Sequence, residues 1–163
     1  MNKKGFTMIE LLVVIAIIGL LSALGIVALS NARMKSRDSR RVGDVSRIQT
    51  ALEMYYSDYG KYPSVAGNLG DIIDLGGTSY KCLSEVGFSA SCVGQIYMAQ
   101  VPSYPNPRTD KDCSVANAGY FYKSHTNTDA SSYRIQYCLG GTSGGAPEYL
   151  NYACPSGKYG CNW

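Results

Sequence analysis

Charge is scarce in this chain of 163 residues: Asp, Glu, Lys and Arg make up 17% of it, and the net charge is only +3. So little charge beside 45% hydrophobic residues excludes a solvated disordered chain. The small net charge gives no compositional support for general nucleic-acid binding. Histidine occurs once, as His125 in a polar loop with no obvious nucleophile, and reads as a surface residue, so a catalytic site is hard to build. No Cys-x-x-Cys occurs, and the spacing of the six cysteines fits no zinc pattern. Collagen-like and heptad repeats are absent too. No cysteine precedes Cys82 and no proline precedes Pro63, so the first third differs in kind from the rest.

That first third opens with a short basic tail, residues 1–5, and then turns apolar. No charged residue occurs from 11 to 32, and residues 11–29 carry a single hydroxyl, Ser22. As a helix, those 19 residues cover roughly 28 Å, close to the ~30 Å hydrocarbon core of a bilayer. A secretory signal peptide has a shorter apolar region, about 7–15 residues, followed by an Ala-x-Ala-like site. Ser22-Ala23-Leu24 is a poor cleavage site, so the stretch reads as a helix that stays. One residue interrupts it. Glu10 stands among Met8, Ile9, Leu11 and Leu12, where a carboxylate costs several kcal/mol unless it is neutralised, paired or at the interface. It is either wetted by headgroups at the membrane edge or matched to a designated cation.

Lys3-Lys4-Gly5, then Phe6-Thr7-Met8-Ile9-Glu10 and an unbroken apolar run, resembles the class III signal of type IV prepilins and of the pseudopilins of type II secretion. The resemblance covers residues 1 to about 30. It implies that an inner-membrane prepilin peptidase cuts between Gly5 and Phe6 and methylates the new amino terminus on Phe6. It also implies that the retained helix becomes a filament core. Elementary physics agrees. Glycine adds no side chain at a site that must present an extended backbone. Cleavage would create a cationic amine one helical turn from Glu10, in the same chain or a neighbour. Opposite charges in a low dielectric offset each other's desolvation only in good geometry, so the pair can set subunit register while apolar faces supply area. Many pilins have a proline inside this helix; here Val27 occupies the region, and Gly19 and Gly25 are the only weak points.

The helix is expected to continue. Val42, Val45, Ile48, Leu52, Tyr55 and Tyr59 recur every three or four residues, and Gly60 and Pro63 then stop it. Arg33, Lys35, Arg37, Arg40, Arg41 and Arg47 meet only Asp38 and Asp44 across this region. That cluster reads as a solvated helix face, as a contact for anionic headgroups, or as a partner for acidic residues of neighbouring subunits. Positive charge on this flank favours the cytoplasmic side, whereas the cysteines and the prepilin resemblance place the large region outside.

Residues 61–163 hold 13 of 18 glycines, 11 of 14 tyrosines and every cysteine. Such text suits short strands and turns. Residues 119–124 and 133–139 form the clearest hairpin, and residues 71–75 read as a short helix or turn. Gly140, Gly141, Gly144 and Gly145 read as a flexible loop rather than a phosphate cradle. Six cysteines in about 100 residues imply three disulfides and an oxidising compartment. Chain entropy favours the local pairs Cys82–Cys92 and Cys154–Cys161, leaving Cys113–Cys138, with Cys138–Cys154 as a rival. No cofactor is expected, and calcium near Asp110 and Asp112 is the alternative.

The expected fold is thus α+β and pilin-like: a long N-terminal helix, membrane-spanning in its first half, packed on a small disulfide-stapled antiparallel sheet. Its parts are a leader (1–5), a transmembrane or filament-core half (6–29), an amphipathic half (30–60) and a head (61–163). The expected function is not enzymatic. It is that of a structural subunit which homo-polymerises through its helix with the help of pilus or secretion assembly machinery. The alternatives are a pseudopilin of a type II secretion piston and a monomeric membrane-anchored extracytoplasmic binding domain. The expected location is the cytoplasmic membrane, single-pass, and then an extracellular or periplasmic filament. Adhesion, twitching, DNA uptake and secretion all remain open as roles.

The cysteine reading predicts no free thiol in the mature protein. Labelling under denaturing, non-reducing conditions should modify nothing, whereas modification of all six sites would place the head in a reducing compartment.

Overall fold

A computed structural model of the chain describes residues 5–64, 72–107, 113, 118–124, 130–141 and 149–155. Its one described helix, α1, runs Met8–Tyr59. Seven strands follow: β1 Ile72–Leu75, β2 Cys82–Ser84, β3 Gly87–Ser89, β4 Ile96–Met98, β5 Tyr120–Ser124, β6 Tyr133–Leu139 and β7 Tyr149–Ala153. The fold is α+β, as expected. The chain divides into two compact units, Met1–Met34 and Lys35–Trp163.

In the first unit α1 has no protein around it. Every described residue from 5 to 33 is exposed, because the sequence supplies apolar side chains on all faces and nothing in this unit to cover them.

In the second unit α1 has a buried stripe. Val45, Ile48, Leu52 and Tyr55 are spaced for one helical face and are at most 6% exposed. They pack in one core with Tyr120 and Tyr122 of β5 and Tyr133, Ile135 and Tyr137 of β6. Alternation along β5 and the first five residues of β6 produces this, with every second side chain buried and the intervening ones half-buried; the end of β6, Tyr137 to Leu139, is buried throughout. The helix closes at Gly60, whose φ of +65° permits the left-handed turn and whose N–H bonds the Tyr56 carbonyl at 2.8 Å.

Two antiparallel sheets result. The larger has the order β1-β5-β6-β7, and its β5–β6 hairpin is in the register Ser124↔Tyr133 through Phe121↔Gln136. The smaller has the order β3-β2-β4. Residues 72–75 correct the expectation of a helix or turn: they are an edge strand paired to β5, Ile72↔Lys123 to Leu75↔Tyr120. Four residues are too few to show an alternation in sequence, and only pairing makes them a strand. Asp71 lies outside the described residues.

The basic region corrects a second expectation. Arg33, Lys35 and Arg40 are exposed, as a solvated face requires, but Arg41, Asp38 and Asp44 are buried. Arg41 Nη1 donates to Asp38 Oδ1 at 2.6 Å, and its guanidinium lies 4.5 Å from the Tyr104 ring centroid. Asp38 also accepts the N–H groups of Gly140 and Gly141, at 3.1 and 2.9 Å. Those two glycines therefore do cradle an anion, the chain's own carboxylate, and tie the end of β6 to α1. Tyr120 donates to Asp44 at 3.0 Å. Burial, and then the Asp44 charge, push the Tyr120 phenol well above the ordinary tyrosine value. A raised folded-state value favours the neutral form, so this stabilisation is complete below about pH 10 and fades above it.

Two disulfides staple the unit: Cys82–Cys92, with 6.0 Å between Cα atoms, and Cys113–Cys138, with 5.9 Å. Cys154 is disulfide-bonded as well. Cys161, its expected partner, lies outside the described residues.

Breaking a buried ion pair on one side leaves an uncompensated charge, at a cost of roughly 3–5 kcal/mol. Asp38→Ala should therefore lower the unfolding free energy of the full chain in detergent micelles by about that much. A loss under about 1 kcal/mol would mean that Arg41 finds full compensation elsewhere.

Candidate assembly site

The start of α1 is built by a local device that hydropathy does not reveal. Thr7 stands just before the helix and Glu10 in its first turn. The Thr7 N–H donates to Glu10 Oε2 at 2.9 Å, and the Thr7 hydroxyl donates to the same oxygen at 2.7 Å. In return the Glu10 N–H donates to Thr7 Oγ1 at 3.3 Å. This is a capping box, in which the first-turn amides left unpaired by the helix are satisfied reciprocally. The signal was present in the sequence as Thr-x-x-Glu ahead of an apolar run. It gives Glu10 a partner within its own chain, so a plain helix start also accounts for a glutamate at this position.

Gly5 and Phe6 precede the helix in an exposed segment; Phe6 is 76% exposed. A Cβ built on Gly5 would meet no other described atom within 4 Å. Phe6 and Glu10 lie four residues apart across the helix start. Residues 1–4 lie outside the described residues.

Beyond Glu10 the surface is uniform. Sixteen large apolar side chains between Phe6 and Leu29 are exposed. Leaving each in water costs roughly 1.5–3 kcal/mol relative to burial. Together that exceeds the whole net stability of an ordinary domain, about 5–15 kcal/mol. The segment is long and apolar enough to cross a membrane, and none of it is buried within the chain. Ser22 does not disturb this, since its hydroxyl bonds back to the Ile18 carbonyl at 2.7 Å.

The other residues singled out by sequence fall away from this site. Among the described residues no group of three or more His, Cys, Asp or Glu could hold a metal ion. Asp110, Asp112 and His125 lie outside the described residues.

Comparison with known proteins agrees with this geometry. A family model described as the prokaryotic N-terminal methylation motif matches residues 1–26. The type II secretion system core protein G of Dickeya chrysanthemi is 32% identical over 72 residues, 44% of this chain and 47% of that protein. Its counterpart in Escherichia coli (strain K12) is 33% identical over 73 residues, 45% of this chain and 50% of that protein. The type IV major pilin protein PilA of Myxococcus xanthus (strain DK1622) is 33% identical over 129 residues, 78% of this chain and 55% of that protein. The chain thus spans about half the length of these curated relatives. No solved structure matches. Through its N-terminal methylation motif and these relatives, the chain is a homologue of type IV pilins and of the pseudopilin core protein of type II secretion.

Proposed function

We propose that the chain is a structural subunit of a type IV pilus-like filament. A prepilin peptidase removes residues 1–5, the amine of Phe6 is methylated, and the apolar part of α1 passes from the membrane into the core of a homo-polymer. The observation that carries this reading is the uncovered apolar surface between Phe6 and Leu29, fronted by one carboxylate, in a chain whose first 26 residues match the methylation motif. Lipid covers such a surface before assembly, and other copies of the same helix cover it afterwards. A pseudopilin role in a short secretion piston is the second reading, favoured by the relatives named as core protein G. The wider overlap with PilA favours the pilus.

On this reading Glu10 changes partners. Before cleavage it caps its own helix through Thr7. After cleavage the new amine on Phe6, in the same or a neighbouring subunit, becomes its counter-ion and sets the axial register. Direct competition between those two partners gives the test. Glu10→Leu should leave membrane insertion intact, since a polar residue is removed from an apolar run. Processing should persist, because the cut lies four residues upstream. Filaments should fail, because an amine buried without its partner costs roughly 3–5 kcal/mol at each addition. Thr7→Val keeps the carboxylate and loses only the cap, worth about 1 kcal/mol, so it should still assemble. Sheared filaments compared with the membrane pool decide the matter. Normal filament yield from Glu10→Leu, or equal loss from both variants, would falsify the register role. In the first case a monomeric anchored domain becomes the better account.

A further inference from the structure

Two exposed patches on the second unit carry charge of opposite sign. Arg40, Gly43, Asp44 and Arg47 occupy one face of α1 at helical spacing. Both arginines are largely exposed, with side chains 62% and 77% accessible, and both point at the single carboxylate of Asp44. They reach it only at 3.7 and 3.8 Å, while Tyr120 already bonds it at 3.0 Å. Each guanidinium reaches one oxygen of a single carboxylate, Arg40 at Oδ2, which Tyr120 also bonds, and Arg47 at Oδ1, so most of their donors are left for something else. They border a cleft of about 630 Å³ whose other walls include Ser39, Gln100 and Ser103. Gly43 supplies no side chain to fill it, and a Cβ there would meet nothing within 4 Å. Lys81 borders the adjoining cleft, which shares Gln100 and Ser103.

The opposite sign gathers near the C-terminal end of the helix. Asp58 lies 18 residues beyond Arg40, about 27 Å along α1. It accepts the Tyr97 hydroxyl at 2.6 Å. Glu85, on the turn between β2 and β3, is exposed, and its carboxylate folds over Gly94, where any Cβ would collide with it. Tyr55 holds that turn through the Glu85 carbonyl at 3.3 Å and packs on Tyr97. Asp58 and Glu85 therefore flank one patch that also exposes Tyr59 and Ile96, with Lys61 as the exposed cation nearest in sequence to Asp58. The short strand β2 repeats the polarity, with Lys81 before it and Glu85 after it.

We propose that the Arg40–Arg47 cleft is a docking site for a second copy of this chain, and that it takes the Asp58 and Glu85 carboxylates of that copy. The inference rests on the filament reading. In a filament every copy of α1 points the same way, and a two-fold axis along that direction sets basic end against basic end and acidic against acidic. Opposite ends pair head to tail, which is the heterologous contact that propagates rather than closes. Arginine is suited to the cleft because its planar fork binds a carboxylate through two parallel bonds.

The experiment reverses charge on one side and then on both, in the full chain. Arg40→Glu with Arg47→Glu should cut sheared-filament yield about tenfold through like-charge contact, and so should Asp58→Arg with Glu85→Arg. The quadruple variant, with both sides reversed, should recover to within about threefold of the parent, because reversed cleft meets reversed patch. Protease resistance and blocked thiols in the membrane pool check that each variant has folded. One-sided variants that assemble like the parent overturn the proposal, as does a folded quadruple variant that fails to recover. If the parent chain itself yields no filaments, the filament reading falls and this contact falls with it. Filaments insensitive to these charges remove the head contact alone.

Discussion

An apolar helix surface with nothing in its own chain to cover it is the constraint from which the rest of the molecule follows. Between Phe6 and Leu29 the side chains are apolar on every face. A globular protein buries one stripe of a helix and wets the other. A helix apolar all round must be enclosed, by lipid or by protein. Dispersion and area alone would let such helices slide past one another, because leucine packs as well against lipid as against leucine. On the filament reading a directional element is needed to choose one register, and the stretch supplies a single candidate, Glu10. Its capping box with Thr7 satisfies that carboxylate within its own chain, and on the same reading the carboxylate is exchanged to a new partner in assembly.

The second unit holds the other half of the same helix through its own core. Its stripe of Val45, Ile48, Leu52 and Tyr55 meets tyrosines of β5 and β6, whose rings supply area, while the Tyr120 and Tyr122 hydroxyls donate to Asp44 and to the Pro63 carbonyl. The Tyr122 hydroxyl, for example, donates to the Pro63 carbonyl at 2.8 Å, holding the chain just after α1 against the sheet. The Asp38–Arg41 pair and the amides of Gly140 and Gly141 fix the other end. Disulfides hold strands too short to be stable alone: the smaller sheet has strands of three residues each, and Cys82–Cys92 ties its β2 to the segment that leads into β4.

Much of this was readable from sequence, for reasons that differ by element. The apolar run was visible because no charge interrupts residues 11–32, and the stripe on α1 because helical periodicity persists over many residues. The β5–β6 hairpin was visible because seven residues of β6 are enough to show alternation. The strands of three or four residues were not, since so short a segment carries no period and is defined by its partner. The burial of Arg41 was hidden for another reason. A charge run reads as a wet surface, and only the fold brings Gly140, Gly141 and Tyr104 to it. At the candidate site, Gly5, Phe6 and Glu10 stood out by their pattern. The Thr7–Glu10 box was written equally plainly, as Thr-x-x-Glu ahead of an apolar run, but a lone carboxylate in such a run also fits an intersubunit partner, and hydropathy does not tell the two apart.

The central claim is that the N-terminal helix is a processed assembly element and not a permanent anchor. Intact-mass spectrometry of the subunit in sheared, microscopically verified surface filaments tests it most directly. The account predicts filaments containing this chain beginning at Phe6, one methyl group heavier than the unmodified amine. A chain that stays wholly in the membrane fraction, or that begins at Met1 or after Ser22, would contradict it.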